Sequence, residues 1–228
     1  MDILQFNVGE KVATLYTTAQ ENKPLIVLNN YSGDGGNVVE IMKKFDCPEC
    51  NLLSVGNLNW DDDMTPWRCP SIFPTDNPCN GKADDYLKIL IGEILPMAKE
   101  KINGEPRKIG IAGYSLAGLF ALYSMYQCDA FDVVASMSGS LWYPKFKDYC
   151  LSHEMKKMPE KIYLSLGDKE AKTKNPFLKT VQENTESLVD YYRKLNLVVT
   201  WELNKGNHFK DEVLRTVKGI KAILTEDE

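Results

Sequence analysis

From Pro24 onward the chain alternates short apolar runs with helical patterns, and few folds accept that alternation. The strand-like runs fall at Leu25 to Asn29, Leu52 to Val55, Lys108 to Ala112, Val133 to Ser136, Ile162 to Leu166 and Val198 to Leu203. Strands separated by helices lie parallel, and helices must then cover both faces of the sheet. Ahead of them, Ile3 to Phe6 and Lys11 to Thr18 read as an antiparallel hairpin on the sheet edge. One helix is expected from about Ala83 to Ile102, kinked or cut at Pro96, and a last one from about Asp211 to Leu224. In such a sheet the loops that do chemistry gather at the carboxyl ends of the strands.

With 228 residues, 43% hydrophobic content and a net charge of −5, the chain is expected to form one globular domain over 1–228. A chain of that length buries about 70–75% of its unfolded surface. No apolar run approaches the roughly 18 residues of a membrane span, so no membrane insertion is expected. The acidic balance argues against a nucleic-acid partner. The opening Met1 to Phe6 lacks a basic stretch followed by an apolar one, so a cytoplasmic location is expected. Oligomeric state is not legible.

One strand runs straight into a small-residue helix. Lys108 to Gly113 is a short buried strand, and Leu116 to Leu122 a tightly packed helix, with Tyr114-Ser115 between them. A turn that sharp holds Ser115 in a strained conformation with its hydroxyl standing clear of the sheet, the arrangement of a nucleophile elbow. The usual pattern is Gly-x-Ser-x-Gly; here Ala117 takes the last glycine position and Gly118 follows one residue late.

A serine hydroxyl needs a base, and the chain has two histidines. His153 lies in a charged amphipathic segment and is expected on a solvated helix face. His208 follows the strand ending at Leu203 and precedes the last helix, which is where a triad base belongs. The imidazole in turn needs a carboxylate, and in hydrolases of this order the acid lies between serine and histidine. Asp168 and Glu170 both stand at the end of the strand Ile162 to Leu166. Glu170 is favoured because it lies further around the turn with a longer reach, and because an Asp just after Gly167 often bonds its own turn. Negative charge on the acyl oxygen calls for two N–H donors. They are expected at Leu116, which opens the helix, and at Tyr31, in the glycine-rich loop after Asn29. That loop lacks a Walker lysine and dinucleotide spacing, so a nucleotide site is not expected.

Four stretches carry a family resemblance: Gly113 to Leu119, Ser136-Met-Ser-Gly-Ser-Leu-Trp-Tyr143, Gly167-Asp-Lys-Glu170 and Gly206-Asn-His-Phe209. In these the chain resembles the esterases of the α/β-hydrolase superfamily that include the esterase D group and the enterochelin (siderophore) esterases. The pattern can be laid over Pro24 to Ile223. The resemblance implies an α/β-hydrolase fold, with a mostly parallel sheet, helices on both faces and no large cap domain. It implies that Ser140 and Trp142 line the pocket. Members often place an acid near the Glu170 position, and some siderophore-type members work with a Ser–His dyad. Members act on siderophore trilactones, formyl-thiol adducts, acylated sugars and simple esters, so the substrate stays open.

Residues 57–82 form a long aperiodic segment with two tryptophans and four prolines. Such a segment is usually functional, and a lid or pocket wall over the elbow is expected. Trp60, Trp67 and Phe73 would offer apolar surface to substrate and Arg68 an anchor for an acidic group; alternatively the tryptophans pin the loop to the sheet. Cys47, Cys50, Cys69 and Cys79 raise a rival reading, a four-sulfur zinc site, but nine residues separate the second pair. A redox Cys-x-x-Cys and a structural disulfide are further alternatives, and free thiols are expected.

The expected protein is therefore a carboxylic ester hydrolase working through Ser115, His208 and Glu170 or Asp168, on a small-molecule ester, with no metal or organic cofactor. A thioesterase or acyltransferase with the same triad, or a non-catalytic binding protein gripping a ligand with its Cys-rich loop, are the alternatives.

Overall fold

The computed structural model describes residues 1–72 and 78–226. Eight strands make one continuous sheet: β1 (Asp2–Val8), β2 (Lys11–Thr17), β3 (Leu25–Asn29), β4 (Asn51–Gly56), β5 (Ile109–Tyr114), β6 (Val133–Met137), β7 (Lys161–Gly167) and β8 (Val198–Asn204). Their order is β1-β2-β4-β3-β5-β6-β7-β8. β1 and β2 form the expected edge hairpin, β2 is also antiparallel to β4, and every other pair is parallel. Each strand expected from the sequence is present, with no end displaced by more than two residues and β3 at its expected bounds.

Helices α1 (Gly36–Lys44), α2 (Trp60–Asp63), α3 (Ala83–Ile89), α4 (Leu95–Lys99), α5 (Leu116–Gln127), α6 (Phe146–Ser152), α7 (Val181–Lys194) and α8 (Glu212–Leu224) fill the connections. Alternation along the central strands sorts the core into two. Leu25 and Val27 of β3 face a large cluster with α5, while Ile26 and Leu28 face a second one with Val38 and Val39 of α1 and Val217 and Ile220 of α8. A strand feeding both clusters must be apolar on both faces: Leu25 to Leu28 of β3 are, and the buried Asn29 that ends it accepts from the Tyr86 hydroxyl. The same logic makes α5 apolar all round, because it is buried from Leu116 to Tyr126.

The helix expected over Ala83 to Ile102 is present in two parts. A π turn at Leu90–Ile94 joins α3 to α4, and Pro96 sits in the first turn of α4. The helical run is continuous there, and the widened turn just before Pro96 takes up both its missing N–H and the clash of its ring with the preceding carbonyls.

Candidate active site

The elbow forms as the sequence requires. Ser115 leaves β5 at φ 59° and ψ −123°, a region that non-glycine residues seldom occupy. Its N–H donates to the Met137 carbonyl (3.1 Å), and its own carbonyl accepts from Gly118 (3.0 Å) and Ser140 (3.0 Å). Strand and helix approach so closely that a Cβ on Gly113 would lie 2.2 Å from the Ala117 carbonyl oxygen. Gly118, one position late, is where the helix meets β6: a Cβ there would stand 2.9 Å from Ser136 Oγ. Alanine at position 117 is accommodated because the second close approach has moved on by one residue.

Three chain segments converge on the serine hydroxyl. His208 Nε2 lies 3.0 Å from Ser115 Oγ, and His208 Nδ1 lies 2.8 Å from Glu170 Oε2. A carboxylate at Nδ1 fixes the proton there and leaves Nε2 as the acceptor for the serine hydroxyl. Asp168 is elsewhere: it accepts the Gly206 N–H (2.8 Å) and so ties the turn after β7 to the loop after β8. His153 is exposed, with its ring stacked 4.0 Å from that of Tyr149.

Glu170 is held from behind. Its Oε1 accepts from the Gly167 N–H (2.6 Å), the Ser138 hydroxyl (2.8 Å) and Arg215 Nη1 (3.1 Å), leaving Oε2 for the imidazole. Burial by itself pushes this carboxyl up, but the hydrogen bond and charge of His208, with the Gly167 and Ser138 donors, outweigh it and hold the group below its ordinary value. Arg215 is 1% exposed on α8. It also reaches Ser138 Oγ (3.1 Å), the Tyr114 hydroxyl (3.3 Å) and the Lys205 carbonyl (3.3 Å). Tyr114, the residue before the serine, donates to the His208 carbonyl (2.6 Å). Sequence reasoning overlooked Ser138, Tyr114 and Arg215. The signal for Arg215 was available: it stands among Val213, Val217 and Ile220 near the buried face of the last helix, where a charge must have a partner.

Two cavities meet at the serine, of about 320 and about 280 Å³, and Trp60, Ser115, His208 and Phe209 line both. Leu116, Ser140 and Trp142 add to the wall of the larger one, together with Ile72, Leu178 and Val181. Ser140 Oγ is 3.4 Å from Ser115 Oγ. The smaller cavity is bounded by Asn30, Tyr31 and Ser32 of the loop after β3. Leu116 is the first residue of α5, so its N–H is a donor that the helix itself cannot satisfy. The Asn30 N–H is taken by the Val55 carbonyl (2.9 Å), which leaves Tyr31 as the next amide in the loop. The Tyr31 ring is 75% exposed and packs edge-on against Trp60 at 5.2 Å.

The tryptophans of the 57–82 segment divide their roles. Trp60 reaches the site. Trp67 does not line either cavity, which corrects the expectation of substrate contact: it packs into an aromatic cluster with Tyr123, Tyr143, Phe146 and Tyr149, and its indole N–H donates to the Pro144 carbonyl (3.0 Å). An indole so placed fixes the loop to the helical layer. Arg68 is exposed and likewise lines neither cavity, because the chain turns it outward beside the buried Cys69. Phe73 lies outside the described residues.

Cys69 and Cys79 face each other across a short antiparallel bridge, each N–H donating to the other's carbonyl at 3.0 Å. All six cysteines are free thiols. Among the described residues no three His, Cys, Asp or Glu side chains gather as a metal site. Burial pushes the Cys47 thiol up to about 11 and the fully buried Cys50 thiol higher still, the opposite of what a redox Cys-x-x-Cys needs. No helix among the described residues is long and apolar enough to cross a membrane.

Other proteins resemble this chain in sequence or in fold. A Bacillus subtilis (strain 168) protein designated "Uncharacterized protein YbbA" is 23% identical over 180 residues, 76% of this chain and 72% of its own. Among solved structures, an IroE-like serine hydrolase from Shewanella oneidensis superposes with a TM-score of 0.79 at 13% identity, over 99% of this chain and 81% of its own. The siderophore hydrolase EstA from Aspergillus nidulans does so with a TM-score of 0.69 at 16% identity, over 96% and 92%. These likenesses establish the α/β-hydrolase fold. The family model described as "Putative esterase" matches residues 54–196, a stretch that holds both Ser115 and Glu170. With more than half of its length matched, the chain belongs to that esterase family.

Proposed function

We propose that Ser115, His208 and Glu170 are the catalytic triad of this esterase and that it hydrolyses small-molecule carboxylic esters through an acyl-enzyme. The observation that carries the reading is the unbroken Ser115–His208–Glu170 chain at 3.0 and 2.8 Å. Ser115 Oγ attacks the acyl carbon while His208 Nε2 takes its proton. The charge that develops on the acyl oxygen is met by the N–H groups of Leu116 and Tyr31. His208 returns the proton to the departing alkoxide, then activates water against the acyl-enzyme. The cavities on either side of Ser115 give room for an acyl half and an alcohol half, with Trp60 and Phe209 shared between them. Ser140 and Trp142 belong to the wall, and a siderophore-type ester is a first substrate to screen, since several proteins of this fold are named for that activity. A reducing compartment such as the cytoplasm suits six free thiols.

The test is covalent labelling by a fluorophosphonate, read by intact mass. One adduct is expected on the wild type, none on Ser115→Ala, and labelling slowed by about 10³-fold or more on His208→Ala. Folded wild-type protein that takes up no adduct would overturn the mechanism.

A further inference from the structure

We infer that Arg215 is a positioning residue for catalysis, whose guanidinium holds the acid, histidine and nucleophile segments in one register. The inference rests on the reading of Glu170 as the triad acid. Its basis is where the four oxygens around this side chain come from, three of them sharing the two hydrogens of Nη1 and the fourth facing Nη2. Glu170 is on the loop after β7, Ser138 follows β6, Tyr114 ends β5 beside the nucleophile, and Lys205 opens the histidine loop after β8. Tyr114 extends the reach by donating to the His208 carbonyl. Arg215 itself comes from none of these segments but from α8, packed beneath them against β5, β6 and β7.

A planar, permanently charged fork with five N–H donors can serve acceptors in several directions at once, which a lysine ammonium on a flexible stem cannot do in the same geometry. The donors also decide how Glu170 is presented. The Gly167 N–H, the Ser138 hydroxyl and Arg215 Nη1 together occupy Oε1, so the carboxylate cannot rotate without breaking bonds in a dry environment, and Oε2 remains aimed at Nδ1. Without the guanidinium, Oε1 would keep two neutral donors and the buried anion would lose its counter-charge. Its orientation toward His208 would then be free to drift, and misplacement of about 1 Å costs roughly 10²-fold in rate.

A buried ion pair of purely structural use would affect folding and leave the turnover of folded enzyme alone. A double-mutant cycle separates the two roles, using Arg215→Met, Glu170→Gln and the pair, with kcat and KM measured on a 4-nitrophenyl ester. Arg215→Met is expected to lower kcat by about 10- to 100-fold with KM within about twofold. In the Glu170→Gln background the same change should cost less than about threefold, since the group through which it acts is already altered. Arg215→Lys should recover part of kcat. If Arg215→Met does not fold, the cycle is run with Arg215→Lys, which keeps the charge of the buried pair. Equal losses of kcat in both backgrounds, or wild-type kcat in folded Arg215→Met, would overturn the inference alone. An unchanged kcat in Glu170→Gln would overturn the triad reading beneath it.

Discussion

Ser115 occupies backbone space that costs a non-glycine residue about 1–3 kcal/mol, and the proposed nucleophile depends on being held there. Replacing it by glycine removes that strain and adds about 0.5–1 kcal/mol of chain entropy to be lost on folding. Ser115→Gly should therefore raise stability by about 1 kcal/mol, or about 2–4 °C in Tm for a chain of this size, while abolishing hydrolysis. Ser115→Ala should abolish hydrolysis without the gain, and thermal melts of the two variants side by side distinguish them. At this scale the sequence was legible where chemistry leaves a local signature: the elbow around Ser115, and a histidine in the loop before the last helix. Between Glu170 and Asp168 the sequence favoured Glu170 by reach and left both open; the expectation that Asp168 bonds its own turn is corrected by its bond to the Gly206 N–H of the neighbouring loop. Arg215 was not recognised, since its meaning comes from four acceptors on four different segments.

The 57–82 segment shows how an element can be half scaffold and half site. Trp67→Ala should cost about 3 kcal/mol, because it empties an aromatic cluster and leaves the Pro144 carbonyl without its donor. Trp60→Ala should lower the melting temperature by no more than about 2–4 °C and instead raise KM, since its ring lines both cavities. Denaturant melts and steady-state kinetics on the two variants check the division. The sequence marked the segment as unusual but could not assign the two indoles, because both stand among prolines and acids with no period to show which one faces the core. Strand positions were readable for the opposite reason: burial on both faces leaves an apolar run that little else in a chain produces. The antiparallel join of β2 to β4 was not readable, since nothing local tells an edge hairpin which neighbour it will take.

Across the whole molecule, stability should follow a plateau in pH with identifiable shoulders. Glu170 and Glu202 both titrate below their ordinary values in the fold. For Glu170 burial opposes this and His208 outweighs it; for Glu202 burial opposes and the Lys218 contact outweighs it. A depressed carboxyl contributes stability that is complete above the unfolded value near about 4.3 and is lost as pH falls through the folded one. The thiols act at the other end. Burial raises Cys47 and Cys79 to about 11 and Cys150 to about 12, so their contribution is complete below the unfolded value near about 8.5 and is lost as pH rises through the folded ones. Melts recorded across pH should show a flat maximum between about 5 and 8.5, with the acid shoulder reduced in Glu170→Gln.

The placement of Arg215 on α8 bears on how the molecule comes apart. The eight strands share an unbroken ladder, whereas α8 is attached by side-chain packing on one face of it and against α1. An opening that lifts this single helix would leave the strands paired and yet release Glu170, the loop that carries His208, and Tyr114 together. Such a sub-global opening lies below the free energy of complete unfolding. Heating or mild denaturant should therefore extinguish turnover while amide hydrogens in the central strands are still protected from exchange, and protection along α8 should be the first to fall.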